Sequence, residues 1–151
     1  MGLYAESKFR GERHVRAAHE AGRLRTTILR LAPVFGYAPA VRFDAVANRF
    51  AYLASVHRPL TIYGDGMQTR DYVYAGDVAR ANLLLTTTPL PEPTSVDDVA
   101  FNVATGEETS VVKLAATLLK AAGAEVQVQH APARKGEVLR SCLHTEKLRG
   151  L

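Results

Sequence analysis

The chain has 151 residues, of which 47% are hydrophobic and 23% charged, and its net charge is +4. These values are typical of a globular chain with one core, and they exclude intrinsic disorder. The single cysteine, Cys142, excludes an internal disulfide framework and is expected to be a buried or half-buried small residue. No apolar run of about 18 residues is present, so no membrane association is predicted.

Basic residues are concentrated at the start of the chain, where residues 1–30 hold seven Lys or Arg against three Glu. Such a cluster is compatible with phosphate binding along nucleic acid. However, the chain has no zinc-ligand spacing, and acidic residues lie among the arginines. We therefore expect a solvated helix face with local ion pairs and no nucleic-acid partner.

The first third of the chain predicts a helix, a strand and a loop. Helix formers run from residue 4 to about 21 and end at Gly22, a common helix-stop residue. Residues 26–31 have the β-branched and apolar pattern of a buried parallel strand. Pro33, Gly36 and Pro39 then indicate a loop.

The middle third predicts two helices and one or two strands. Residues 41–56 form the first helix, and residues 60–63 form a short strand that ends at the turn 64–66. Residues 69–74 form either its partner or a nearby strand. Asp77 is predicted to be the N-cap of a helix through about residue 85, followed by a loop with Pro89, Pro91 and Pro93.

The last third repeats this alternation. Residues 99–103 predict a strand, Ser110 is the expected N-cap of a helix to about residue 122, and Gly123 ends that helix. Residues 125–130 predict a half-exposed strand, and residues 145–151 begin a final helix. The alternation of helices and strands predicts the α/β class.

Tyr4 and Lys8 form a candidate acid/base pair. Residues i and i+4 share one face of a helix, and a nearby cation favours the phenolate form, which is a general base. A Tyr-x-x-x-Lys spacing alone occurs often by chance and usually marks a solvated helix face. The pair therefore needs support from the rest of the chain.

Five segments, in order along the chain, supply that support: YAESKFRGE at 4–12, LRLAPVFG at 29–36, LTIYGDGMQTRDYVY at 60–74, FNVATGEETSV at 101–111 and PARKGEVLRS at 132–141. Together they resemble the extended short-chain dehydrogenase/reductases, in particular the NAD-dependent epimerase/dehydratase family with its UDP-glucose 4-epimerases. Any one segment would be weak, but five in register are a specific signal.

The resemblance implies an α/β chain that is the C-terminal part of a Rossmann-like enzyme with most of its substrate-binding lobe. The Gly-x-x-Gly-x-x-Gly phosphate-binding turn of the family is absent from the sequence. We therefore expect the first strands to lie upstream of Met1. On this interpretation residues 1–36 end the NAD-binding region, and residues 37–151 are mainly substrate-binding lobe, with some segments returning to the sheet.

The resemblance also implies roles for individual residues. Tyr4 would exchange a proton with a sugar hydroxyl, and Lys8 would favour the phenolate and bind the nicotinamide ribose. Ala32 would contact the nicotinamide end of NAD. NADP is not excluded, because the usual discriminator of the ribose is absent from the sequence.

Seven residues are expected to bind the substrate, a nucleoside-diphosphate sugar. Pro33 lies where relatives often carry an asparagine that binds phosphate, and proline lacks that amide. Residues Thr61, Ile62 and Tyr63 would lie against the nucleobase, or simply form an amphipathic strand. The remaining three are Arg70 and Arg134, which would clamp the diphosphate, and Glu137, which would accept hydrogen bonds from ribose hydroxyls.

Arg70 has an alternative interpretation as the partner of Asp71 or Asp65 in a salt bridge.

The predicted parent enzyme interconverts the C4 configuration of the sugar by transient oxidation, and it is expected to be a cytoplasmic homodimer. A 4,6-dehydratase or reductase of the same family is the enzymatic alternative. The alternative of another class is a non-catalytic nucleotide-sugar-binding module or remnant, and we expect the isolated chain to be inactive.

Overall fold

The computed structural model describes residues 2–90 and 95–151, and it confirms the α/β class. No helix in these two stretches is long and apolar enough to cross a membrane. The elements in chain order are α1 (Leu3–Glu20), β1 (Ile28–Leu31), β2 (Val34–Phe35), α2 (Val46–Ser55), β3 (Leu60–Tyr63), β4 (Thr69–Arg70), β5 (Val73–Tyr74), α3 (Ala75–Thr87), α4 (Val96–Val99), β6 (Ala100–Val103), β7 (Thr109–Ser110), α5 (Val111–Ala122), β8 (Val128–Ala131), β9 (Arg140–Ser141) and α6 (Glu146–Arg149).

The strands pair mostly in parallel, each with a partner distant in sequence. β1 pairs with β6, β2 with β5 and β3 with β8, all parallel. β4 lies between β7, to which it is antiparallel, and β9, to which it is parallel. Parallel neighbours need long crossover connections, and helices provide several of them here.

Two clusters of buried apolar side chains form the core. The first cluster packs α2 and α5 against β3 and includes Phe50, Leu60, Ile62, Val111 and Ala115. The second joins the ends of β1 and β6 to β5 and α3, through Ala32, Val73, Ala81 and Val103. The alternating burial of β3 follows from the strand period of two, since Leu60 and Ile62 point into the core.

The caps of α5 agree with the sequence prediction. The Ser110 hydroxyl oxygen accepts a hydrogen bond from the Lys113 N–H at 3.2 Å. Gly123 ends the helix with a φ of +58°, in the left-handed region where a side chain is strained. Both ends of this helix were thus correctly predicted.

Helix α1 has no buried residue, and several of its charged residues form ion pairs. Arg10 binds Glu6 at 2.6 Å, Arg16 binds Glu20 at 2.5 Å, and the more distant Arg30 binds Glu12 at 2.7 Å. The predicted solvated face with local ion pairs is confirmed.

Several predicted boundaries are wrong. The helix predicted from residue 41 begins at Val46, because the Asn48 amide folds the preceding loop back by bonding Gly36 N–H and the Arg42 carbonyl oxygen. Asp77 is not an N-cap: Tyr74 occupies the N-cap position of α3 without a side-chain capping bond, and Asp77 lies in the first turn, where it pairs with Arg80.

The strand boundaries also differ from the prediction. Residues 69–74 form two short strands in different sheets, and neither pairs with β3. The predicted strands at 26–31, 99–103 and 125–130 are displaced at their starts, to residues 28, 100 and 128. The final helix is short, from 146 to 149. Pro91 and Pro93 of the predicted loop lie outside the described residues.

The Asp71 carboxylate ties three distant segments together. It is 1% exposed, and it accepts hydrogen bonds from the Thr105 N–H at 2.9 Å and hydroxyl at 2.7 Å, the Gly106 N–H at 3.0 Å and the Leu143 N–H at 3.3 Å. Burial alone would raise the pKa of Asp71, but these hydrogen bonds together lower it below its ordinary value.

We expect Asp71→Asn to lower the free energy of unfolding by roughly 2–4 kcal/mol, because a neutral amide cannot accept all four donors and buries N–H groups against them. Chemical denaturation of the two proteins at neutral pH measures this difference. Asp65→Asn is the matched control, since Asp65 is an exposed residue of the turn that follows β3 and accepts a single local hydrogen bond from Met67 N–H.

The same carboxylate predicts a specific pH dependence. Because its pKa is lower in the folded chain, its contribution to stability is present above the ordinary aspartate pKa of about 3.9 and is lost as the pH falls through the folded value. The difference in melting temperature between the unmodified chain and Asp71→Asn should therefore shrink below about pH 4. A difference that stays constant through this range would contradict the assignment.

Candidate functional site

A cavity of about 290 Å³ lies between the start of α2, strand β3, strand β4 and the loop after β8. This volume is near the lower end of small-molecule sites, which measure roughly 300–1,000 Å³. The lining includes all seven residues predicted to bind substrate, namely Pro33, Thr61, Ile62, Tyr63, Arg70, Arg134 and Glu137. The fold thus brings together side chains that are up to about a hundred residues apart in sequence.

The pleat of β3 explains how one strand serves both core and cavity. Thr61 and Tyr63 are partly exposed, whereas Leu60 and Ile62 are buried in the core. The end of the strand is held by Gln68, whose amide donates to the Tyr63 carbonyl oxygen at 2.9 Å. Tyr63 is therefore fixed at the wall of the cavity.

Arg70 faces Glu137 inside the cavity. Its Nη2 lies 3.6 Å from Glu137 Oε1, and its Nη1 donates to the Thr69 carbonyl oxygen at 2.7 Å. Both charged side chains are largely shielded, with 19% and 25% of their surfaces exposed. The alternative pairing with Asp71 or Asp65 is wrong, because those carboxylates accept hydrogen bonds from other groups.

Arg134 stacks on the ring of Tyr63. The guanidinium carbon lies 3.8 Å from the ring centroid, a close cation–π contact. A hydrogen bond from Arg134 is the main cause that lowers the pKa of Tyr63, and the positive charge of Arg134 is the second cause. The Glu137 N–H donates to the Arg134 carbonyl oxygen at 3.3 Å across a turn with Gly136 at a φ of +77°, so this single turn places both residues in the cavity.

Pro33 contributes a wall rather than a hydrogen-bonding side chain. Its carbonyl oxygen accepts the Val73 N–H at 3.1 Å, which continues the pairing of β2 with β5. The position therefore holds the backbone at the edge of the cavity. No phosphate contact through a side chain is available there.

Tyr4, Lys8 and Ala32 do not line this cavity. Tyr4 is 76% exposed, and the Lys8 Nζ lies 5.5 Å from the centroid of its ring, so the two side chains meet on one face of α1 as the spacing predicts. Ala32 is buried at the end of β1, and its N–H donates to the Val103 carbonyl oxygen at 3.1 Å. The geometry separates these three residues from the other seven.

Helix α2 also contributes to the cavity, which the sequence pattern does not indicate. The first turn of this helix lines the cavity through residues 45–47, and the N-cap Ala45 makes no side-chain capping bond. Unpaired N–H groups at a helix N-terminus favour anions. The sequence signal was obscured because the helix was predicted to begin five residues earlier.

Further lining residues were also missed, in particular Asp44, Arg49, Phe50, Gln68 and Tyr72. Tyr72 is 9% exposed, and burial raises the pKa of its phenol. Its hydroxyl has no hydrogen-bond partner within the described part of the chain. The sequence signal for Tyr72 is its position two residues after Arg70, because alternate side chains of an extended segment lie on the same side.

Cys142 is exposed, so the predicted burial of this residue is wrong. Its Sγ lies 3.8 Å from Asp71 Oδ2. Partial desolvation and the neighbouring carboxylate raise the pKa of the thiol, which disfavours the nucleophilic thiolate. Across residues 2–90 and 95–151, no group of three His, Cys, Asp or Glu is arranged to hold a metal ion.

The cavity combines the chemistry that suits an anionic ligand with an aromatic or sugar portion. Arg49, Arg70 and Arg134 supply guanidinium groups, which match phosphate oxygens. Tyr63 and Phe50 supply apolar surface, and Glu137 can accept hydrogen bonds from hydroxyl groups.

Comparison with known proteins agrees with this chemistry. Residues 1–104 match the NAD dependent epimerase/dehydratase family. A putative UDP-glucose 4-epimerase of Methanocaldococcus jannaschii is 32% identical over 152 residues, covering 100% of this chain and 47% of the relative.

Solved structures give the same result. The Thermus thermophilus UDP-glucose 4-epimerase in complex with NAD matches 97% of this chain with a TM-score of 0.82 and 32% identity, over 47% of its own length. The Thermotoga maritima UDP-glucose 4-epimerase with UDP-glucose matches 97% with a TM-score of 0.80 and 33% identity, over 46% of its length. The chain thus spans about half the length of these relatives.

The contact between Arg134 and Tyr63 predicts a change in ionisation. In Arg134→Gln, the pKa of Tyr63 should rise towards the ordinary phenol value of about 10, because the hydrogen bond and charge that favour phenolate are lost. Phenolate absorbance during alkaline titration measures this change. In each background, with Arg134 or with Arg134→Gln, subtracting the titration curve of the Tyr63→Phe variant isolates the signal of Tyr63. Identical difference curves in the two backgrounds would refute the contact.

Proposed function

Because this chain belongs to the NAD dependent epimerase/dehydratase family, we propose that it is part of a nucleotide-sugar epimerase that interconverts the C4 configuration of a nucleoside-diphosphate hexose. The reaction proceeds by transient oxidation of the C4 hydroxyl. The chain itself carries the substrate-binding cavity and the acid/base pair Tyr4 and Lys8.

The observation that carries this proposal is the convergence of Arg70, Arg134 and Glu137 on one cavity. Two guanidiniums from distant segments provide forked donors for the two phosphates of such a ligand. In this proposal Glu137 accepts hydrogen bonds from ribose hydroxyls, and residues Thr61 to Tyr63 form the wall for the base. Pro33 borders the cavity without offering a donor.

Tyr4 and Lys8 supply the acid/base chemistry of the proposal. The Tyr4 phenol oxygen takes the proton from the C4 hydroxyl and later returns it, while Lys8 binds the nicotinamide ribose. Their arrangement on one face of α1 supports these roles, since the ammonium group already lies over the phenol ring. Both side chains are exposed and free to meet a ligand.

The described residues fit the nicotinamide end of NAD. Ala32 lies where parallel strands β1 and β6 reach their carboxyl ends, the edge at which open α/β sheets bind ligands. Tyr4 and Lys8 would meet the ribose, and NADP remains an alternative to NAD. When bound, the cofactor would supply the hydride acceptor for the oxidation at C4 and the hydride donor for the reduction that follows. No glycine-rich cradle for the pyrophosphate is present in the sequence.

The division into residues 1–36 and 37–151 stays a prediction, as does a cytoplasmic homodimer for the full-length enzyme. Exposed apolar residues of α1, including Leu3 and Phe9, support an association surface on that helix. A 4,6-dehydratase or reductase activity is the alternative within the family. The alternative of another class, a non-catalytic nucleotide-sugar-binding module, uses the same cavity without Tyr4.

Ligand binding by the isolated chain tests the proposed role of the cavity. Arg70→Ala should weaken UDP-glucose binding to the 151-residue chain by about tenfold to a hundredfold, or roughly 1.4–2.8 kcal/mol, measured by titration calorimetry. Because Arg70→Ala also leaves Glu137 unpaired, the double variant Arg70→Ala/Glu137→Gln shows how much of the loss comes from that carboxylate.

Arg80→Ala is the matched control, since Arg80 forms an exposed ion pair with Asp77 and does not line the cavity. Unchanged affinity in both Arg70 variants would refute the diphosphate clamp.

Turnover tests the acid/base pair. In a chimera that joins this chain to the part of the Thermus thermophilus epimerase that it does not match, Tyr4→Phe should lower kcat by about a hundredfold or more, because the group that carries the proton is removed. UDP-glucose affinity should stay the same. Tyr37→Phe, at a similarly exposed tyrosine, is the control. Near-normal kcat in Tyr4→Phe would refute the role, and binding without turnover in the chimera would favour the non-catalytic module.

A further inference from the structure

Arg49 is a third guanidinium at the cavity, and none of the sequence motifs includes it. It is the fourth residue of α2, and its N–H donates to the Ala45 carbonyl oxygen at 2.9 Å. Side chains on a helix point back towards the N-terminus, so the guanidinium reaches over the first turn, whose residues 45–47 line the same cavity. Its charge also helps to lower the pKa of the Tyr63 phenol, which is consistent with this direction.

The charges around the cavity do not balance. Arg70 faces Glu137, and Asp44 is held by the neighbouring Arg42. Arg49 and Arg134 also line the cavity, and neither has an ion pair with a carboxylate in residues 2–90 or 95–151. Two positive charges therefore remain without an anionic partner.

A nucleoside-diphosphate sugar carries one negative charge on each of its two phosphates, so its charge equals that of the two unpaired guanidiniums. The uncapped N-terminus of α2 adds further positive potential beside Arg49. Glu137 already offsets much of the charge of Arg70. Neutralising the two phosphate charges of the ligand therefore requires Arg49 as well as Arg134.

We propose that Arg49 is a ligand-binding residue that pairs with the second phosphate of the nucleotide, a group that a monophosphate lacks, and so sets the preference of the cavity for a diphosphate over a monophosphate. This inference rests on the proposed function of the same cavity. Arg49 is exposed in the ligand-free chain, so it closes over the phosphates from the mouth of the cavity while Arg70 and Arg134 hold them from the walls.

The competing interpretation is that Arg49 is an ordinary solvated residue on the outer side of α2. Two substitutions separate the possibilities. Arg49→Met keeps a long side chain and good helix propensity but removes the charge, whereas Arg49→Lys keeps the charge. Comparable melting temperatures for the two variants establish that the fold is retained.

The experiment is a calorimetric titration of the full 151-residue chain with UDP, UMP and UDP-glucose, with dTDP in parallel so that a preference for the base does not conceal the phosphate effect. We expect Arg49→Met to weaken UDP and UDP-glucose binding about tenfold and UMP binding much less, so that the preference for diphosphate falls. Arg49→Lys should recover most of the loss, and Arg80→Ala should bind like the unmodified chain.

Equal affinities in Arg49→Met and Arg80→Ala would overturn the inference, and so would an equal loss for UDP and UMP. Failure of the unmodified chain to bind any diphosphate would overturn the proposed function together with this inference. Diphosphate binding that depends on Arg70 but not on Arg49 would overturn the inference alone.

Discussion

The buried carboxylate of Asp71 is the constraint on which the cavity depends. It accepts four hydrogen bonds from Thr105, Gly106 and Leu143, and it therefore joins the segment between β4 and β5 to the loop after β6 and to the segment after β9. In an extended backbone, neighbouring side chains point in opposite directions. Holding Asp71 inward directs Arg70 and Tyr72 to the other side, where both line the cavity.

The strands on either side of this anchor are short. β4 and β5 are two residues each and belong to different sheets, with Asp71 and Tyr72 between them. Burying a carboxylate without donors has a high cost in free energy, and the segment between the two strands avoids it by presenting Asp71 to the N–H groups of Thr105, Gly106 and Leu143. Hydrogen bonds to a charged acceptor are stronger than neutral ones, so they can determine the local path of the chain.

Electrostatics links this framework to the proposed chemistry. The walls of the cavity come from β3, β4, the first turn of α2 and the turn at Arg134 to Glu137, and each contributes a charge, a dipole or an aromatic ring. Arg134 is held by stacking on Tyr63 and Arg70 by its proximity to Glu137. These contacts hold two guanidiniums in place, and under the proposed function this reduces the cost of ordering side chains on binding.

Much of this protein is determined by the sequence itself. The caps of α5, the shared face of Tyr4 and Lys8, the i,i+4 ion pairs of α1 and the order of the longer helices and strands depend on neighbours within a few residues, so local patterns predict them. The five segments also identify the family and all seven substrate-binding candidates that line the cavity. Their roles remain proposals.

The tertiary structure alone decided the rest. The late start of α2 depends on the hydrogen bonds of Asn48 to two residues of the preceding loop, Gly36 and Arg42. The partner of Arg70 is Glu137, 67 positions away along the sequence, rather than its neighbour Asp71. Arg49 becomes a candidate ligand-binding residue only because its helix lies beside β3 and the turn that carries Arg134. Such features arise from contacts between residues distant along the chain, and no local propensity encodes which distant groups meet.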